Sequence, residues 1–388
     1  MNEAKIRSEP SAENRRLAAV RAIAIACLIS LSLAIPAVTG FAHIVMGTKS
    51  LHLRVVEADL IVRGRVVDPE VVFISDDEKS RRRLIEVDIL EELKGRAGSK
   101  KIRFAQDGHE VARYAKDQEA LFFLVPIERS RELRALAVPG GPSHVSGQEH
   151  DEEFLVTTKS GPILLSATRD FAASESAEEG AERVKLIRRA TLALLTSRDT
   201  RLSSSALSSL VLSPNAELVT SQDMPHLESV LSDTSVSVGY RAGLIAELER
   251  RNLIQGSTHW VALLENAALS DLPAAIRVAG AHPSPAMNSA LIDLLASPES
   301  STEIKAECAV ALGSTRNAPA VPALTSALAS SEPRLRNAAI RGLGQIGGPE
   351  ARRALEDAAE AHPDPATRRL ANARLRSSDI RDARTRSN

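Results

Sequence analysis

Cysteine is nearly missing: 388 residues hold only Cys27 and Cys308. Cys27 falls inside an apolar N-terminal run, so a chain processed beyond it keeps one thiol and no internal disulfide. Cys308 sits on the apolar face of a helical pattern and reads as a small buried hydrophobe. Aromatic residues make up 3%, as suits Ala- and Leu-rich helices that pack through small side chains. The formal net charge is −1, which gives no global attraction to nucleic acid. Catalytic signatures are missing too: there is no Gly-rich phosphate loop, HExxH, CxxC pair or GxSxG elbow. Gly342, Gly344 and Gly347 are spaced like a dinucleotide fingerprint, but they lie late in a helical pattern rather than between strand and helix. Asp88, Glu91 and Glu92 are close in sequence, yet alternation along a strand turns neighbours to opposite faces. No catalytic residue, cofactor site or metal site is assigned.

What the chain does have is a repeat of 31 residues, opened by Ile304, Leu335 and Ala366. Alignment sets Ala311-Leu312-Gly313 against Gly342-Leu343-Gly344 and, more loosely, Ala373-Arg374-Leu375. Within the second copy, Leu335, Ala338, Ala339, Leu343 and Ile346 recur at helical spacing. Gly347-Gly348-Pro349 ends that helix and starts another, because Gly tolerates a left-handed cap and Pro suits a first turn. The second helix, about Glu350 to Ala361, stops at His362-Pro363-Asp364-Pro365, where two prolines forbid continuation. A lone hairpin of this kind leaves its apolar face open, so neighbours must stack on it. The expected product is a right-handed α-solenoid. Degenerate units are expected upstream over 202–231, 238–264 and 272–295.

The motif Ala309-Val310-Ala311-Leu312-Gly313 followed by Ala320-Val321-Pro322-Ala323-Leu324 resembles HEAT-like repeats of the short bacterial type, a group that includes bilin-lyase-like repeats. The next copy departs from it at Ala351-Arg352-Arg353-Ala354-Leu355. The resemblance covers about the last quarter of the chain and implies a fold, with no lyase activity carried over.

Residues 1–42 read as an export signal: a basic n-region (Lys5, Arg7, Arg15, Arg16, Arg21), an uncharged run from Ala22, and small residues ending at Ala42. Cleavage after Ala42 would give a periplasmic, cell-envelope or secreted protein. The alternative is an uncleaved inner-membrane anchor over residues 22–46. Only in that case is membrane contact expected. Cys27 sits in a poor lipobox, and Arg15-Arg16 matches a twin-arginine motif weakly.

From 43 to 170 the period shifts to that of strands. A short helix is expected at Leu51 to Ala58. Strands are expected at Leu60–Val67, Val71–Ser75, Leu84–Leu93, Lys101–Ala105, Leu121–Ile127, Leu133–Val138, Phe154–Thr158 and Ile163–Leu165. Asp76 to Arg83 reads as a charged hairpin loop. Many short strands between turn signals argue a small β-barrel or sandwich. The residues Glu57 to Val66, Val87 to Leu90 with Leu93-Lys94-Gly95, and Glu119 to Leu124 are similar to an OB-like barrel of the netrin-like, tissue-inhibitor-of-metalloproteinase type. That likeness implies the barrel fold only, because the N-terminal cysteines that chelate a protease's metal are absent.

The segment Pro139 to Glu153 is a polar loop. His144 and His150 with Asp151, Glu152 and Glu153 have the chemistry of metal ligands but not the spacing of a helix face, so a solvated loop is the reading kept. A linker and a capping helix (Arg183 to Leu195) occupy 171–200, the solenoid 201–375, and a basic disordered tail 376–388.

The fold class is therefore α+β multidomain, a small OB-like barrel followed by a HEAT-like α-solenoid. The expected function is non-enzymatic: recognition of a protein partner, with Arg352 and Arg353 on a second helix as candidate contacts and no nucleic acid. The competing readings are an envelope enzyme or enzyme inhibitor, acting through the barrel with His109, His144 or His150, and a purely structural envelope component.

Overall fold

The computed structural model describes residues 49–74, 81–106, 112–131, 133–138, 141–147 and 154–387. Residues 49–387 belong to a single compact unit. It opens on helix α1 (Leu51–Glu57), where Ser50 caps the first turn by accepting from the Leu53 amide. Six strands follow: β1 (Leu60–Ile74), β2 (Arg81–Lys94), β3 (Lys101–Gln106), β4 (Glu119–Pro126), β5 (His144–Ser146) and β6 (Phe154–Leu155).

The sheet order β1-β2-β3-β5-β4, with β1 pairing back onto β4, closes a five-stranded barrel, and β6 extends β4. Alternation along each strand turns Val62, Val66, Val87, Phe104 and Phe122 into the barrel, all of them fully buried. Tyr114 and Phe104 both pack against the Phe122 ring, with centroids 5.1 and 5.2 Å away. Side chains thus fill the barrel.

Four expectations for this region change. Leu60–Val67 and Val71–Ser75 are not separate: 60–74 is one strand, kept continuous across Pro69 by irregular pairing between Asp68 and Val71. Leu133–Val138 carries a 3-10 turn, Arg134–Leu136, instead of a strand. His144–Ser146, expected as loop, is β5; it runs parallel to β3 and antiparallel to β4, and so closes the barrel. Ile163–Leu165, expected as a strand, lies in helix α2 (Gly161–Ser176). Three apolar residues satisfy either period, and Leu164 is buried here on a helical face.

Helices α3 (Ala181–Leu195), α4 (Thr200–Leu212), α5 (Met224–Ser232), α6 (Val238–Arg250), α7 (Gly256–Glu265), α8 (Leu272–Ala279), α9 (Pro285–Ala296), α10 (Thr302–Ser314), α11 (Val321–Ala327), α12 (Pro333–Ile346), α13 (Gly348–Ala361) and α14 (Pro365–Ser387) complete the chain. Each of the degenerate segments read at 202–231, 238–264 and 272–295 is such a helix pair. First helices α6, α8, α10, α12 and α14 form one layer, and α5, α7, α9, α11 and α13 the other. The sequence from 376 on, expected as a disordered tail, continues as helix α14 to Ser387.

Backbone contact sets the spacing of the first layer. A Cβ on Gly313 would overlap the Cα of Gly342, and one on Gly342 would stand 2.7 Å from the Ala309 carbonyl oxygen. Gly280, 31 residues before Ala311, packs against the Ala311 methyl group, at 2.6 Å for an added Cβ. The repeat therefore reaches one unit further upstream than the readable motif. At the position of Gly313 and Gly344, α14 carries Leu375. A bulky residue there departs from the close approach that the two glycines allow.

Arg336, buried at 7% exposure, ties consecutive units together. It donates to the Ser330 and Ser331 carbonyls, to Thr367 Oγ1 at 3.0 Å and to Asp364 Oδ2 at 2.7 Å. Hydrogen bonds from the Thr367 hydroxyl, the Ala366 amide and Arg336 hold the Asp364 carboxyl well below the usual carboxylate range.

The barrel and the array share a joint. The Leu51 amide donates to Ser205 Oγ on α4 at 2.7 Å, and Lys94 Nζ at the end of β2 donates to the Val55 carbonyl at 2.7 Å. The β6 residue Phe154 lies under two guanidiniums, Arg201 from α4 at 4.8 Å and Arg54 from α1 at 5.7 Å. The Phe123 ring meets its edge at 5.1 Å. Arg169 of α2 grips Glu91 of β2 through two bonds of 2.8 and 2.9 Å.

Candidate functional site

Arg352 and Arg353 lie side by side on the exposed face of α13, whose opposite face buries Ala351, Ala354, Leu355 and Ala358. Arg352 Nε donates to Glu356 Oε1 at 2.9 Å, one turn on. An exposed pair of this kind holds weakly.

The barrel offers less. Its outer ionic groups satisfy one another: Arg63 and Arg65 both hold Glu119, at 2.7 and 2.6 Å, and Glu86 takes Arg103 at 2.5 Å and Lys101 at 3.6 Å. Hydrogen bonds from Arg65 and then Arg63 draw the Glu119 carboxyl below its ordinary range. His144 is half-buried on β5, with Nδ1 2.8 Å from Ser143 Oγ, and burial lowers its pKa. His109, His150 and Asp151 to Glu153 lie outside the described residues, among which no group of three or more His, Cys, Asp or Glu is placed to hold a metal. Cys308 is wholly buried, and burial pushes its thiol up to about 12, leaving it inert as a nucleophile.

A shallow groove of 420 Å³ opens beside the C-terminal end of α6, lined in part by Ser213, Thr220, Ser221, Arg250 and Arg251. Its cations are already engaged. Both arginines hold the buried Glu247 carboxylate, and Arg251 also donates to the Leu210, Ser213 and Asn215 carbonyls. Among the described residues no helix is long and apolar enough to cross a membrane.

One cluster has no sequence signature. Trp260, the single tryptophan of the chain, is buried in α7 and stacks on His282 with centroids 3.8 Å apart and rings 15° from parallel. Glu249 Oε2 accepts from Trp260 Nε1 at 3.1 Å and lies 3.8 Å from His282 Nδ1. The three residues come from α6, α7 and the turn before α9, so no local spacing brings them together. Burial lowers the His282 pKa below its ordinary 6.5 and outweighs the opposing pull of Glu249. A depressed histidine pKa means that the fold favours the neutral ring. Its contribution to stability is therefore present above pH 6.5 and lost as the pH falls. The expected result is a fall in the denaturation midpoint below that pH, with quenching of Trp260 emission as the stacked ring charges. His282→Phe should flatten both responses relative to wild type, although His52 and His144, also depressed by burial, remain. A profile unchanged by the substitution would remove His282 from the acid response.

A family model of HEAT repeats matches residues 288–376, from within α9 to the middle of α14. Among solved structures, the chain is similar to an engineered protein at 21% identity, with a TM-score of 0.32 over 56% of this chain and 64% of that one. It is similar at 17% identity to human deoxyhypusine hydroxylase in complex with glycerol, with a TM-score of 0.26 over 55% of this chain and 87% of that one. The chain thus spans less than two thirds of the engineered protein, and likenesses at these scores carry no argument about function. No curated protein matches.

Proposed function

We propose that the chain is an exported, non-enzymatic scaffold whose HEAT-like array recognises a protein partner through its exposed helix faces. The observation that supports this is how the array divides its residues. Glycine, alanine and leucine are buried in helix-to-helix contact, while charged residues such as Arg334, Arg341, Arg352 and Arg353 are exposed on successive helices. Arg352 and Arg353 on α13 are the proposed partner contacts, because both are exposed and neither supports the core. The netrin-like character of the barrel rests on the Glu57 to Val66 motif and remains part of this proposal, as does export, which rests on the composition of residues 1–42.

Affinity capture from cross-linked cells tests the reading, with the full chain beside R352E/R353E. The double variant should keep its helical content and melting temperature and lose about tenfold or more in partner recovery. Equal recovery by both proteins would remove α13 from the interface. For export, N-terminal sequencing of the purified protein should begin at His43; a chain retaining residues 22–46 would establish the anchored form instead.

A further inference from the structure

The adjacent first-layer helices α12 and α14 are unusual in charge. Between them, α12 and the stretch 365–377 of α14 carry seven arginines and not one Asp or Glu. Elsewhere in the array most arginines have a carboxylate: Arg198 with Asp233, Arg250 and Arg251 with Glu247, Arg277 with Glu307. In α12, Arg334 reaches back to Glu303 and Glu307 of α10, and Arg336 is committed to Asp364. Arg368 donates to the His362 and Pro363 carbonyls. That leaves Arg341, Arg369, Arg374 and Arg376 with no ion pair among the described residues; Arg374 packs over Gly344, and the other three are exposed.

The repeat sets where they stand. The bond from Arg336 to Thr367, 31 residues on, shows the register of α14 against α12 directly. The same step puts Arg341 beside Asn372. Arg369 and Arg376 flank Asn372 on α14, two turns or about 10.5 Å apart. Asn372 is exposed and its Nδ2 donates to the Arg368 carbonyl at 3.1 Å, which leaves Oδ1 as an acceptor. By register, three exposed arginines thus fall at positions next to one exposed amide.

We propose that this face of α12 and α14 binds an acidic, extended segment of a protein partner. This deepens the scaffold reading, on which it rests, by naming a second contact face and the chemistry of what it takes. Guanidiniums match carboxylates in planar, two-bond geometry, and an Asn carbonyl suits a peptide N–H. Nucleic acid is disfavoured because neither helix carries an aromatic residue on which a base could stack. The nearby Glu303 and Glu307 also confine the positive field to this end of the array.

The test is fluorescence anisotropy on the full chain with a labelled peptide of alternating glutamate and serine. R341E/R369E/R376E is the principal variant and R131E/R134E, on the barrel, the comparator. The peptide should bind at low salt and release as salt rises, and the triple variant should weaken it about tenfold or more. R131E/R134E, at two exposed barrel positions outside both contact faces, should bind it as wild type does. Because this measurement needs no cellular partner, its failure is distinct from failure of the capture experiment. No saturable binding, undiminished binding by a folded triple variant, or tighter binding of a single-stranded oligonucleotide of equal charge would each overturn the proposal.

Discussion

Gly313→Leu is expected to destabilise the array by more than about 4 kcal/mol, at the far end of what single substitutions do. Most overpacking costs about 1–3 kcal/mol, because a displaced side chain can find another rotamer. No such escape exists here. The first atom of any side chain at Gly313 would overlap the Cα of Gly342, and the Gly342 carbonyl oxygen lies 3.2 Å away. Helix α12 would have to move as a body, and it is held on its other side by α14, through Gly344 against Arg374 and Arg336 against Thr367. Urea denaturation followed by circular dichroism reads the loss. Arg353→Ala, on the exposed face of α13, is the control and should change stability by less than about 0.5 kcal/mol. If Gly313→Leu cost under 1 kcal/mol or so, the helices would be free to separate, and backbone contact would not be what sets the repeat.

The second large effect is expected at the joint. Val55 is fully buried in α1 between barrel and array. Val55→Asp would place a carboxylate where no cation is free to meet it, since Lys94 is already on the Val55 and Val56 carbonyls. An unpaired buried charge costs several kcal/mol. The wild-type chain should unfold in one cooperative transition. The variant should show two, as the barrel and the helices α4 to α14 lose their common element. Phe154→Ala gives a milder route to the same end, at about 3–5 kcal/mol, because it removes the ring that Arg54, Arg201 and Phe123 share. A single transition retained in both variants would show that α1 is an accessory rather than the link.

These two sites differ in how readable they were. Gly313 announces itself, because its repeat partner Gly344 recurs at the 31-residue spacing and a helix break follows each copy. Phe154 does not. It sits in a two-residue strand, and its partners Arg54 and Arg201 are distant in sequence on either side. The candidate contacts Arg352 and Arg353 were legible as exposed positions, since helical period alone sets them opposite Ala354 and Leu355. The arginine-rich pairing of α12 with the first half of α14 needed the register between helices, which Arg336 and Thr367 supply.

By itself the sequence determined what depends on neighbours along the chain: the 31-residue unit, its Gly and Pro breaks, the paired helices from 202 onward, and a strand period before 130. Such features follow from backbone geometry acting over a few residues, so composition and period suffice. Tertiary structure alone decided what depends on residues far apart. It made three residues at 144–146 the closing strand by placing β3 and β4 on either side. It turned Ile163–Leu165 into helix and stacked Trp260 on His282. In each case the local preference was too weak or too short to choose, and the contact that broke the tie came from another part of the fold.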